Sequence, residues 1–279
     1  RVDRRQRQMC IRDRSSADPM NITNLPYKTE SPMLVHIKGR RHVQCRLVPP
    51  KFTSLNDGDC FVLITSEKLF SFIGQFANVI ETKVCKDFCT SILRDKDLGC
   101  HAAMLMSITE KNLDGYNGKI FCRILDRRDD EPLTSAGHSE EDELIESCLQ
   151  ETNMVFEFVE DELVPVEDFW GQPLTISAVN SRKILVFDFG SEVYVWNGKN
   201  ALPDAKKVAM MLAEEMFETP FDYKMCHLSP LDFSSVCGHR KDRVTGRKSG
   251  VKRPEFTILG RVNQNMETIL FRQKFTDWP

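Results

Sequence analysis

Short apolar runs and one change of period organise the first third of the chain. Met33 to Lys38 and Val43 to Val48 read as strands. The turn signal Leu55-Asn56-Asp57-Gly58-Asp59 then feeds the continuous apolar run Cys60 to Ile64, which suits a strand buried on both faces. Leu69 to Ile73 follows after a tight connection at Thr65 to Lys68, so these two runs predict a hairpin. Beyond Gly74 the spacing lengthens. Ile80, Val84, Phe88 and Ile92 recur every four residues and predict one buried stripe of a helix, with Lys83, Lys86, Asp87 and Arg94 facing away.

The same order is written a second time. A displacement of 124 positions brings Leu55 onto Val179, Phe61 onto Leu185, Leu63 onto Phe187, Phe72 onto Trp196, Gly74 onto Gly198 and Val84 onto Val208, without a gap. The second copy predicts strands at Lys183 to Phe189 and Val193 to Trp196. Its helix runs from about Leu202 to Phe217, with Pro203 in the first turn and Val208, Leu212 and Met216 on the stripe. Phe256 to Val262 and Thr268 to Phe275 read as further strands. The fold class is α+β: two tandem repeats, each a mixed central sheet packed against a long amphipathic helix.

Composition sets the boundaries. Residues 1–24, Arg-rich and aperiodic, read as a disordered extension that need not be native sequence; 25–130 form the first repeat, and 153–279 the second, with a basic loop at 238–253. Residues 131–152, with the acidic run Glu140 to Glu143, read as an exposed linker that becomes a short helix near Leu144 to Leu149.

Charge and chemistry narrow the function. With 41% hydrophobic residues, 28% charged residues and a net charge of -3, no overall field draws nucleic acid or an acidic membrane. The ten cysteines form no CxxC pair and mostly sit among apolar residues, as reduced buried thiols of a cytoplasmic protein would. No apolar run approaches the roughly 18 residues of a membrane span. Nucleotide, metalloprotease and hydrolase signatures are missing and the six histidines are scattered, so a binding role is expected rather than an enzyme.

The string SLNDGDCFVL, then FIGQFANVIE, the amphipathic helix and DLGC, resembles the gelsolin/villin repeat, in which an LNxGDxFxL strand is followed by a WxG strand end and a long helix. LPYKTESPMLVHIKGRRHVQCRLV, ELVPVEDFWG, ILVFDFGSEVYVWNGK, FDYKMC and ETILFRQKFTDW extend the resemblance over roughly residues 25–279. It implies stacked repeats that bind, cap, sever or bundle actin under calcium and phosphoinositide control. It also implies, for some members, a scaffold that links actin and myosin to the plasma membrane at the cell cortex. Further repeats and a headpiece domain, which such proteins carry, are not in this sequence.

The resemblance assigns candidate sites. A calcium ion in the first repeat would take the Gly58 carbonyl, Asp59 and Glu81; the bland alternative makes Asp59 a turn cap and Glu81 a solvated helix carboxylate. The matching positions of the second repeat are Arg182, Lys183 and Ala205, where two positive charges argue against a cation. Actin would meet the exposed helix face at Lys83, Lys86, Asp87, Thr90 and Arg94. Arg240, Lys241, Arg243, Arg247, Lys248, Lys252 and Arg253 could engage phosphoinositide headgroups or an acidic partner. Three readings follow: an actin-associated cytoskeletal scaffold, a calcium-regulated severing or capping module, and an interaction module that has lost actin.

Overall fold

The computed structural model describes residues 32–129, 131–135, 141–220, 231 and 252–279, with only the backbone of 141–144. The first sheet comprises β1 (Met33–Lys38), β2 (Gln44–Val48), β3 (Cys60–Ile64), β4 (Leu69–Ile73) and β5 (Leu105–Ile108), in the order β2-β1-β3-β4-β5. The second comprises β6 (Met154–Val159), β7 (Glu162–Pro165), β8 (Ile184–Asp188), β9 (Glu192–Asn197) and β10 (Ile258–Asn263), in the order β7-β6-β8-β9-β10 when read from the matching edge. In both sheets the first three pairings are antiparallel and the last is parallel. The duplication seen in the sequence is therefore a duplication of topology.

Helix α1 (Val79–Asp95) lies on one face of the first sheet. Asn78 caps it: its side chain accepts the N–H of Glu81 at 2.8 Å, while the Glu81 carboxylate accepts the N–H of Asn78 at 3.1 Å, closing a capping box. Its buried residues are Glu81, Cys85, Phe88, Cys89 and Ile92, whereas Ile80 is 48% exposed and Val84 half-buried. The predicted stripe is thus turned at its N-terminal end. Four residues advance a helix by about 400°, so a strict spacing of four walks about 40° around the axis at each step, and the straight path is 81, 85, 88 and 92. The second long helix, α4 (Pro203–Glu218), departs in the same way: Ala209, Met210 and Ala213 are buried, and Val208, Leu212 and Met216 flank them.

The opposite face of the first sheet holds Leu34, Phe61, Leu63, Phe70 and Phe72. It is covered by α2 (Tyr116–Ile124) through Phe121 and by α3 (Glu141–Gln150) through Ile145, Cys148 and Leu149. The short helix expected near Leu144 to Leu149 is present, and the linker reading of 131–152 is corrected only in that this helix is packed and not exposed: the acidic residues mask three apolar ones at helical spacing, and those are what pack. A second correction falls at the C-terminal end. Thr268 to Phe275 is not a strand but contains the short helix α5 (Ile269–Arg272), capped by the Thr268 hydroxyl and by Asp97 of the first repeat, whose Oδ2 accepts the Ile269 N–H at 2.6 Å.

One apolar cluster crosses the repeat boundary. Val35, Ile37, Cys60, Val62, Phe88 and Ile92 of the first repeat share it with Phe187, Phe189, Trp196, Leu270, Phe271 and Phe275 of the second. The other face of the second sheet, with Ile184, Val186, Val193 and Val195, packs on α4. Seven cysteines (45, 60, 85, 89, 100, 122 and 148) are free and buried; Cys10, Cys226 and Cys237 lie outside the described residues.

Candidate ion site and partner face

Asp59 sits where β3 begins, beside the end of β1. Both of its oxygens are engaged. Oδ1 receives the Lys38 ammonium at 2.7 Å, and Oδ2 receives His36 Nε2 and Asn56 Nδ2, each at 2.7 Å. Asn56 also accepts the N–H groups of Gly58 and Asp59 at 2.9 Å, which fixes the turn. The His36 ring stacks on Phe61, with centroids 4.4 Å apart. Burial would raise the Asp59 carboxyl, but His36 and then Lys38 hold it well below the usual carboxylate range.

Glu81 approaches from α1 and is 1% exposed. Its Oε1 accepts the Gly39 N–H at 2.8 Å and its Oε2 accepts the Asn78 N–H. Burial, and next the nearby Asp59 carboxylate, push its pKa up to about 8, against the pull of those two N–H groups and Lys38. Glu146 of α3 accepts the next two N–H groups, those of Arg40 and Arg41, so two carboxylates from different helices grip the β1–β2 turn.

Asp59 and Glu81 are therefore brought together as the resemblance implies, but the arrangement does not fit calcium. That ion takes six to eight oxygens at about 2.3–2.6 Å. Here the carboxylate oxygens it would need already receive hydrogens from the protein, and an ammonium lies against Asp59. Nor is Glu81 the solvated carboxylate of the bland alternative. His36, Lys38 and Asn56 were missed by sequence reasoning. Two polar residues on one face of the otherwise apolar run MLVHIK were the available signal; the cross-strand register that aims them at Asp59 was not.

The second repeat has an ion pair at the same place with its signs exchanged. His36 pairs in register with Phe61, and Glu157 pairs with Leu185, the residue 124 positions after Phe61. Lys183, which is 124 positions after Asp59, bonds Glu157 at 2.7 Å. Arg182 lies beside it in the turn, and Ala205 takes the Glu81 position.

On α1, Lys83, Lys86, Asp87, Thr90 and Arg94 are all exposed. They are joined at the N-terminal end of the helix by Phe76, Val79 and Ile80, which are 68%, 85% and 48% exposed. These three apolar residues were also missed, since Ile80 was counted into the core. Of the basic loop, Arg240, Lys241, Arg243, Arg247 and Lys248 lie outside the described residues, and Lys252 is exposed. Arg253 is not available to a lipid or acidic partner. It is 7% exposed, its Nη2 lies 2.6 Å from Asp188 Oδ2, it donates to the Gly190 carbonyl, and its guanidinium lies 5.4 Å from the Phe217 ring centre. Among the described residues no helix is long and apolar enough to cross a membrane.

A family model described as the gelsolin repeat matches residues 170–225. Bovine supervillin is 41% identical over 259 residues, covering 92% of this chain and 11% of its own length. Drosophila gelsolin is 24% identical over 88% of this chain and 27% of its own length. Human macrophage-capping protein is 22% identical over 65% of this chain and 51% of its own. A Thorarchaeota 2DGel3 chain, solved in complex with rabbit actin, aligns with 88% of this chain and 98% of its own at 15% identity, with a TM-score of 0.27. The chain thus spans between about a tenth and about a half of the curated relatives named here.

Proposed function

This chain belongs to the gelsolin/villin family, and we propose that its two repeats act as an actin-associated scaffold module, meeting actin through the outer face of α1. The observation that carries this reading is the division of α1. One side is locked into the first repeat through Cys85, Phe88, Cys89 and Ile92. The other presents Lys83, Lys86, Asp87, Thr90 and Arg94 beside the exposed apolar group Phe76, Val79 and Ile80. A rigid helix with an apolar end and a charged flank suits a helix-in-groove partner. In the whole protein such a module would connect actin filaments to membrane and motor partners at the cytoplasmic cortex. Phosphoinositide contact, if it is made through the loop, falls to Arg240, Lys241, Arg243, Arg247, Lys248 and Lys252.

Cosedimentation of the chain with filamentous actin, with calcium and with chelator, tests the reading. Binding in both conditions is expected, and Val79→Asp together with Lys86→Glu should weaken it at least about tenfold, the effect of roughly 1.4 kcal/mol. Calcium-dependent transfer of actin to the supernatant would replace scaffolding with severing. No binding in either condition would leave an interaction module for other partners.

A further inference from the structure

We propose that Lys38 is the built-in cation of the first repeat: its ammonium holds Asp59 in the role a divalent ion would otherwise fill, so the repeat keeps its closed arrangement without calcium. Lys38 projects from the end of β1, is 5% exposed, and reaches the Asp59 oxygen that His36 and Asn56 leave to it. The three donors come from two segments, β1 and the turn before β3, so one carboxylate ties the strand ends together. A tethered ammonium cannot dissociate, and the closure it provides does not vary with ion concentration.

The second repeat supports this independently of any metal argument. There Lys183, at the position of Asp59, bonds Glu157, which stands at the register of His36 and not of Lys38, so the carboxylate is now on β6 and the cation at the start of β8. Both repeats thus tie these two strands by a protein cation and a protein anion, buried in the first repeat and partly exposed in the second. The sign on each strand differs; the bond does not.

The experiment is thermal unfolding of the whole chain, as the wild type, Lys38→Met and Lys38→Gln, in about 1 mM calcium and in chelator. Wild-type Tm should be the same in both media. The variants should melt lower in chelator and gain roughly 5–10 °C in calcium, the shift expected for an ion present at about a hundred times its Kd. A calcium-dependent rise in the wild type would overturn the proposal. So would a folded variant that ignores calcium. If neither variant folds in chelator, recovery of the native circular dichroism in calcium supports the proposal and failure in both media overturns it. No actin enters this test, so its failure leaves the proposed function standing.

Discussion

Glu192 of the second repeat accepts the backbone N–H of Leu47 of the first, with Oε1 and N 2.7 Å apart. Its other oxygen receives the Lys274 ammonium at 2.6 Å and the Tyr194 hydroxyl at 2.8 Å, all fully or nearly fully buried. Arg46 lies alongside, with its guanidinium 4.9 Å from the Phe189 ring centre and one nitrogen 2.8 Å from Asn153 Oδ1. Lys274 pairs with this carboxylate directly, and Arg46, bonded to other acceptors, places a second buried cation within reach of its charge at the junction of the repeats. Burial pushes the Lys274 ammonium down to about 8, and Glu192 is what pulls it back up.

Glu192→Gln therefore leaves buried positive charge without its anion. A loss on the order of 3–5 kcal/mol is expected from chemical denaturation. Because the carboxylate bridges both repeats, the two should be lost in one transition. A variant as stable as the wild type would show that the junction does not depend on this charge.

Stability should fall as pH rises from about 5 to 8 through Glu81. Its folded pKa of about 8 stands above the ordinary 4.5, so the native state binds the extra proton in that window. The contribution is complete below the unfolded value and disappears as pH passes the folded one, with a slope of at most about 1.4 kcal/mol per pH unit. Asp59 has the opposite sign, since its lowered pKa makes its contribution fade only toward strong acid. Glu81→Gln keeps a capping-box acceptor and should flatten the curve of Tm against pH between 5 and 8. An unchanged slope would assign that slope to other groups.

Gly74 and Gly198 end corresponding strands for one steric reason. A Cβ on Gly74 would stand 2.5 Å from the carbonyl oxygen of Asp57, and one on Gly198 2.4 Å from that of Ser181, the equivalent residue. The same turn is held by Gly74 N–H to Asp59 O at 3.0 Å and Gly198 N–H to Lys183 O at 2.9 Å. Gly74→Ala and Gly198→Ala should each cost about 1–3 kcal/mol, by similar amounts, in thermal unfolding. A cost confined to one of them would mean that the other turn can open.

Arg253→Gln removes the cation from a buried pair with Asp188 and should destabilise by about 3–5 kcal/mol. Pelleting with phosphoinositide vesicles below the melting range should not change, whereas Lys252→Glu should reduce it if the loop meets lipid. Equal loss of vesicle binding in both variants would return Arg253 to the lipid-facing set.

Much of this fold was legible because strands announce themselves by short apolar runs. Cys60 to Ile64 is buried throughout, as its composition requires, and Leu69 to Ile73 pairs with it residue for residue. The helix faces were legible to within about one residue. What escaped depends on partners distant in sequence. Asp97 caps Ile269 from 172 residues away and Asp188 pairs with Arg253 from 65 away, so a local reading made a strand of the first segment and a solvated loop cation of the second residue. The candidate ion site divides in the same manner. Asp59 and Glu81 stand in a motif, whereas Lys38 reaches Asp59 only through the pairing of β1 with β3.

The apolar cluster that joins Ile37, Phe88 and Ile92 to Phe187, Phe271 and Phe275 has a consequence for inheritance. A splice junction or recombination point between the repeats would give each product half of a wall with no covering, and exposed apolar surface on that scale favours aggregation over independent folding. The two repeats are therefore transmissible as a pair.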